Sequence, residues 1–361
     1  MLKTISLTSL SVALAVMFFT GTATLSTAQA ATKYCNGPKI TWRVSLWGKR
    51  RAVTEGIEYA SKAIKDATCG NFDLKLYYGE QLSKSKENLD ALKVGAIEMA
   101  MVCSSYSPGK LRAATVLDLP FLPVKSGDWK TMRKVYDTLW KRPELIKSLA
   151  KWNSRRYIQN LLPMYEYMGR GKPPKDLADF KHKRLRALGG MGESARAIGA
   201  VPTTMPASET YTALQRGTVD AIGFPFTYTF HAYKLDEIST WYTSNLAAGN
   251  VDCFMADNID AYKKLPKQYK EIMDQVKDGA YQAMITAYAE KDKVYLANWR
   301  KNPKLTEVRF SEADLDKFRE KGGKPVWEEW VKENKQYVPT AQQLIDLVLK
   351  TCKEGSKGGK G

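Results

Sequence analysis

The sequence predicts an exported α/β protein built as two lobes. Three observations carry that expectation. The first thirty residues have the layout of a secretory leader. The remainder is longer than one compact core usually serves. The order strand, helix, strand, helix, strand then occurs twice in succession.

Lys3 precedes an apolar run from Ile5 to Phe19, and small residues lead to Ala28-Gln29-Ala30, an A-x-A cleavage pattern. The apolar run is shorter than the roughly 20 residues of a bilayer span. Residues 1–30 are therefore expected to be a signal peptide, with a mature chain starting near Ala31 in the periplasm. Cys35 lacks the small residues that precede a lipid-attachment cysteine, and no later segment is apolar enough to span a membrane.

Ile40 to Trp47 alternates with period two and reads as a strand. Val53 to Asp66 carries Ile57, Ala60 and Ile64 on one helical face. Phe72 to Tyr78 is a second strand, Ser85 to Val94 a helix and Ile97 to Val102 a third strand. Such an order implies parallel strands with crossover helices. Val116 to Pro123 is a proline-punctuated connector. Trp129 to Lys151 reads as one helix and Tyr157 to Leu162 as a strand. After the Pro173-Pro174 loop the pattern repeats: strand Arg184 to Leu188, helix Gly192 to Ile198, strand Val201 to Met205, helix from Ser208 to near Gly217, strand Val219 to Phe224. Ile272, Val276, Ala280, Ala283 and Ala287 keep helical spacing in a segment running to Trp299, long enough to cross both lobes.

These elements fit the two-lobed periplasmic binding protein fold, with ligand held beyond the carboxyl ends of the strands. Residues 31–163 with 250–290 are assigned to the first lobe, and 164–249 with 291–353 to the second. Residues 354–361 are a glycine- and lysine-rich flexible tail.

The formal net charge is +18, which raises nucleic acid, acidic lipid or an anionic ligand as partners. The basic residues are spread along the chain and mixed with acids. The densest runs, Lys49-Arg50-Arg51 and Lys181 to Arg184, are short and read as solvated surface. Export argues against nucleic acid. Of the five cysteines, Cys35 and Cys69 are the expected pair in an oxidising compartment. Cys253 with Cys352 is a weaker second pair, and Cys103 reads as a buried thiol. With only His182 and His231 and no C-x-x-C, metal and Cys/His nucleophilic chemistry have little material. No cofactor or metal is expected.

Residues 176–186 and 201–220, with Gly199-Ala200 between them, resemble the DctP-type receptors of tripartite ATP-independent periplasmic (TRAP) transporters. Gly79 to Leu82, Ala91 to Ala96 and Leu119 to Leu122 fall in that family's order and spacing. The resemblance implies a receptor that captures a small organic anion, a carboxylate above all, and delivers it to a permease of two integral membrane subunits. It implies a monomer and no enzymatic reaction. It also implies that Arg186 holds the ligand carboxylate, as a rigid guanidinium fork suits two carboxylate oxygens. Arg184 is the rival on the same strand.

Two departures matter. Gly223-Phe224-Pro225 stands where many relatives carry a polar residue followed by Asn and Pro, so Phe224 points to a ligand with an apolar or aromatic body. The relatives' second arginine aligns with Glu166 without a gap and with Arg170 with one. Trp47, Ser104, Tyr165 and Tyr167 are further cleft candidates. Gly190 to Ala195 imitates a dinucleotide fingerprint but lacks its βαβ context, so a cofactor-dependent enzyme is the weaker alternative. A receptor of another importer class and a binder of anionic polymers are the others.

Overall fold

The computed structural model describes residues 34–357. The signal-peptide reading and the end of the tail lie outside them. In chain order the first strands are β1 (Ile40–Ser45), β2 (Phe72–Tyr77), β3 (Met99–Cys103), β4 (Ser154–Asn160) and β5 (Tyr165–Gly169). Then come β6 (Arg184–Arg186), β7 (Val201–Thr203), β8 (Ala221–Pro225), β9 (Trp241–Thr243), β10 (Cys253–Asn258) and β11 (Thr306–Val308). They form a five-stranded sheet ordered β2-β1-β3-β10-β4 and a six-stranded sheet ordered β11-β9-β5-β8-β6-β7.

Each predicted βαβαβ unit makes a parallel group: β1 with β2 and β3, β6 with β7 and β8. Both sheets are nevertheless mixed. β10 runs antiparallel to β3 and β4, and β5 antiparallel to β8 and β9. The chain leaves the first sheet between β4 and β5 and returns between β9 and β10. Each sheet therefore contains a strand contributed across the divide.

The predicted helix from Trp129 to Lys151 is two helices, Trp129–Leu139 and Pro143–Ala150. Proline disfavours the helical conformation in the residue before it and suits a first helical turn; Arg142 is extended and Pro143 opens the second helix. The long helix is likewise divided at Val276, into Lys267–Gln275 and a 25-residue helix, Lys277–Lys301. At 1.5 Å per residue the latter spans about 37 Å. Its first half lies on helix Ala52–Ala67, where Gly56 permits close approach: a Cβ there would sit 2.9 Å from Met284 Cε. Its far end packs Trp299 against Phe226, Phe230 and Tyr242 of the second sheet's lobe. The helix thus joins the two lobes.

The last helix, Ala341–Lys357, includes residues 354–357, assigned above to the tail. It packs on Trp129–Leu139, with Lys134 and Glu354 paired at 3.2 Å. The second-lobe assignment of 291–353 therefore does not hold for this helix, whose neighbour belongs to the first-lobe segment.

Cys35 and Cys69 are joined. The second bridge is Cys103–Cys253, not Cys253–Cys352, and Cys103 is not a thiol. The two residues are directly opposed on antiparallel β3 and β10, with Cα atoms 4.0 Å apart. Cys352 is a buried thiol in the last helix.

Candidate functional site

Between the sheets lies a cavity whose walls include Trp47, Arg51, Tyr106, Tyr165, Arg186, Phe224 and the Cys103–Cys253 bridge. It encloses about 20 Å³, room for roughly one water molecule. A larger ligand can be enclosed only if the lobes or the lining side chains separate.

Arg186 ends β6 and is 1% exposed. Its guanidinium donates to Gly223 O of β8 at 2.7 Å, to Met205 O at 3.2 and 3.3 Å, and to the Tyr106 hydroxyl at 3.0 Å. It lies 4.7 Å from the centre of the Phe224 ring. No carboxylate among the described residues is within ion-pair distance. A guanidinium has five N–H donors, so one Nη1 donor is uncommitted. The Tyr106 hydroxyl accepts from both Arg186 and the Ala207 N–H and keeps its own proton to donate. Burial pushes the Tyr106 and Tyr165 hydroxyls above their usual range, against the pull of the Arg186 charge, so both are neutral donors. An anion brought to this wall meets a cation and protonated hydroxyls.

The facing wall holds a residue that sequence reasoning placed on the surface. After β1 the chain turns at Gly48, in the left-handed region at φ +75°, where a Cβ would collide with the Tyr233 hydroxyl. That turn brings Arg51 to the start of helix Ala52–Ala67. Arg51 is 2% exposed and donates to Lys49 O at 2.5 Å and Trp47 O at 3.4 Å. Its guanidinium stacks 4.7 Å from the centre of the Trp47 ring. Arg50 of the same run is solvated, as expected, and pairs with Glu55 and Glu58. The available signal for Arg51 was its position just beyond a parallel strand's carboxyl end.

Of the eight candidates, Arg186, Phe224, Trp47 and Tyr165 line the cavity. The other four do not. Glu166 lies on the opposite side of β5 from Tyr165, where its carboxylate accepts from the Leu246 and Ala247 N–H groups and the Thr243 hydroxyl. Burial pushes its pKa up to about 7 despite those bonds. Arg170 follows β5 and donates to Leu214 O and Gln215 O, closing the end of helix Thr210–Gln215 as basic residues do at helix C-termini. Neither residue of the Glu166/Arg170 alternative therefore faces this cavity. Ser104 donates to Asp118 at 2.7 Å. Tyr167 is buried beside Phe180. The rival Arg184 is exposed and paired with Asp220 at 2.6 Å.

Among the described residues no His, Cys, Asp and Glu cluster could hold a metal ion, and no helix is long and apolar enough to cross a membrane. Two lobes enclosing an anion-seeking cavity agree with the sequence profile of the bacterial extracellular solute-binding proteins, family 7, which matches residues 44–334. The chain belongs to that family. This family 7 protein is 24% identical over 259 residues to a monocarboxylate 2-oxoacid-binding periplasmic protein of Nostoc, covering 70% of this chain and 69% of the relative. It is 30% identical over 182 residues to the C4-dicarboxylate-binding periplasmic protein DctP of Rhodobacter capsulatus, covering 47% and 50%. The fold matches a TRAP periplasmic solute-binding protein of Desulfovibrio salexigens with bound orotic acid, at TM-score 0.78 and 20% identity over 87% of this chain and 99% of that one. It also matches a TRAP solute-binding protein of Rhodoferax ferrireducens with copurified benzoate, at TM-score 0.76 and 19% identity, covering 88% and 99%.

Proposed function

We propose that this family 7 solute-binding protein captures a small organic acid between its lobes and delivers it to a TRAP-type permease in the cytoplasmic membrane. The carrying observation is Arg186: a guanidinium buried in the cavity wall, held by carbonyls and a hydroxyl, with no carboxylate among the described residues to neutralise it. Burying an unpaired charge is costly, and an incoming carboxylate supplies the missing countercharge. Phe224 covers the guanidinium's neighbour side and stacks on Tyr233 at 5.3 Å, giving the acid's carbon skeleton an apolar surface. The relatives' named ligands, a 2-oxoacid, C4-dicarboxylates, orotic acid and benzoate, share the carboxylate and differ in the body. The work is capture and release through hinge motion of the lobes.

The test is a thermal-shift screen of an organic-acid panel, followed by calorimetry with the acids that raise the melting temperature. Arg186→Met is expected to weaken the best acid at least about a hundredfold, since a buried charge-assisted bond contributes about 1.5–3 kcal/mol and the countercharge is lost too. Affinity within threefold of the parent would remove Arg186 from the site.

A further inference from the structure

We infer that Arg51 is a second anion-binding residue, supplied by the opposite lobe from Arg186, and that the pair makes lobe closure depend on a bound anion. This rests on the capture reading above and extends it to a residue and a mechanism of closure.

Five of the lining side chains, together with Tyr233 behind them, form a closed ring of contacts. Arg186 stacks on Phe224 at 4.7 Å and Phe224 on Tyr233 at 5.3 Å. Tyr233 lies 5.8 Å under the Arg51 guanidinium, which stacks on Trp47 at 4.7 Å. Trp47 meets Tyr106 edge-on at 5.2 Å, and Tyr106 accepts from Arg186 at 3.0 Å. Trp47, Arg51 and Tyr106 come from the first lobe; Arg186, Phe224 and Tyr233 come from the second. The ring therefore exists only when the lobes are together.

Neither guanidinium in this ring has a carboxylate partner among the described residues, and both act electrostatically on the same two hydroxyls, Tyr106 and Tyr165. Walls of aromatic rings and a disulfide screen like charges far less than water does. Closure without an anion sets two cations against each other in that medium, whereas opening lets water solvate each. An anion between them reverses the sign of the interaction. Arg51 is furnished for such a partner. Its Nε donates to no acceptor, and its Nη2 meets only Met101 Sδ at 3.8 Å, a weak acceptor. The indole Nε1 of Trp47 and the Thr229 hydroxyl, both on lining residues, also have no hydrogen-bond partner. The ligand class that fits has acceptor oxygens at two ends: a carboxylate for Arg186 and a second carboxylate or carbonyl for Arg51.

The experiment uses the full purified protein stripped of retained ligand, with sodium sulfate as the anion at constant ionic strength. Radius of gyration by small-angle X-ray scattering and melting temperature are read for wild type, Arg51→Met, Arg51→Lys and Arg186→Met. Arg51→Met without sulfate is expected to scatter as a more compact particle than wild type. Its half-saturating sulfate concentration is expected to rise at least about tenfold. Wild-type scattering and an unchanged sulfate response in Arg51→Met would overturn the inference. Should Arg51→Met fail to fold, Arg51→Lys decides: it keeps the charge and loses the fork, so its sulfate response should weaken, and an unchanged response overturns the proposal. A response lost in Arg186→Met and kept in both Arg51 variants sinks this inference alone. One lost in the Arg51 variants and kept in Arg186→Met sinks the assignment of the carboxylate to Arg186.

Discussion

Glu166→Gln separates a ligand-facing role from a structural one, and its effect on stability has a sign fixed by burial. In the folded protein the carboxyl titrates near 7, raised from an ordinary 4.5. The native state therefore keeps a proton that the unfolded chain has released. Stability contributed by that proton is complete below about pH 4.5 and is lost as pH rises through 7. At about 1.4 kcal/mol per pH unit, the window corresponds to roughly 3 kcal/mol. Glutamine cannot titrate, but it turns an amide donor toward the Leu246, Ala247 and Thr243 donors that the carboxylate accepts, at about 1–3 kcal/mol. The variant should accordingly be the less stable protein at pH 4.5, and should approach or overtake wild type by pH 8. Urea unfolding at half-unit pH steps, disulfides intact, gives the difference between the two curves, in which every other acid cancels. A difference that stays constant between pH 4.5 and 8 would refute the burial argument. Ligand affinity should change less than about threefold, because the carboxylate points away from the cavity. A large loss of affinity would return Glu166 to the site.

Two further outcomes are expected. Phe224→Asn should weaken acids with an aromatic or branched apolar body about tenfold, from the loss of some 50 Å² of apolar contact at about 25 cal/mol per Å² together with looser stacking of Arg186. Small polar acids should lose less in the same calorimetric titrations, and equal losses for both classes would leave Phe224 without a part in selectivity. Denatured, unreduced protein should show one reactive thiol per chain with Ellman's reagent, from Cys352. Three thiols would remove one of the two bridges, and five would remove both.

Strands inside the two βαβαβ repeats were legible, including β3 and β8, whose residues are all buried; β5, β9, β10 and β11, which lie outside the repeats, were not. β1 and β2 alternate and were found at the right register of residues. All six residues of β10 and all five of β5 are buried, so period two has nothing to report; β9 and β11 are three residues long. The cysteine error follows from this, because Cys103 and Cys253 become neighbours only once β10 is placed beside β3. Arg186 was legible through its motif. Arg51 was not, because Lys49, Arg50 and Arg51 look alike in a run of charges, and only the Gly48 turn and the helix start decide which of the three turns inward. Glu166 and Arg170 aligned with a family position, but the fold turns both away from the cavity, onto backbone groups of neighbouring segments.

The placement of both arginines follows from topology. Arg51 lies just beyond the carboxyl end of β1 and Arg186 at that of β6, each in the parallel part of its sheet, where loops rather than side-chain layers meet the cleft. Any opening that separates them must be absorbed where the chain crosses between lobes: residues 161–164, residues 244–252, the return from β11 to the last helix, and the long helix. The helix is tied to the first lobe as far as Tyr288, which stacks on Trp129 at 5.8 Å. It is tied to the second from Asp292, which accepts from the Thr227 N–H at 2.6 Å and its hydroxyl at 2.8 Å. The passage from one lobe to the other falls in the single turn between them. The second crossover is held at Leu246 and Ala247 by Glu166; beyond them Gly249 O accepts from the Tyr165 N–H at 2.7 Å and the Asp252 N–H donates to Asp118 at 2.6 Å as the chain enters β10 beside the cavity.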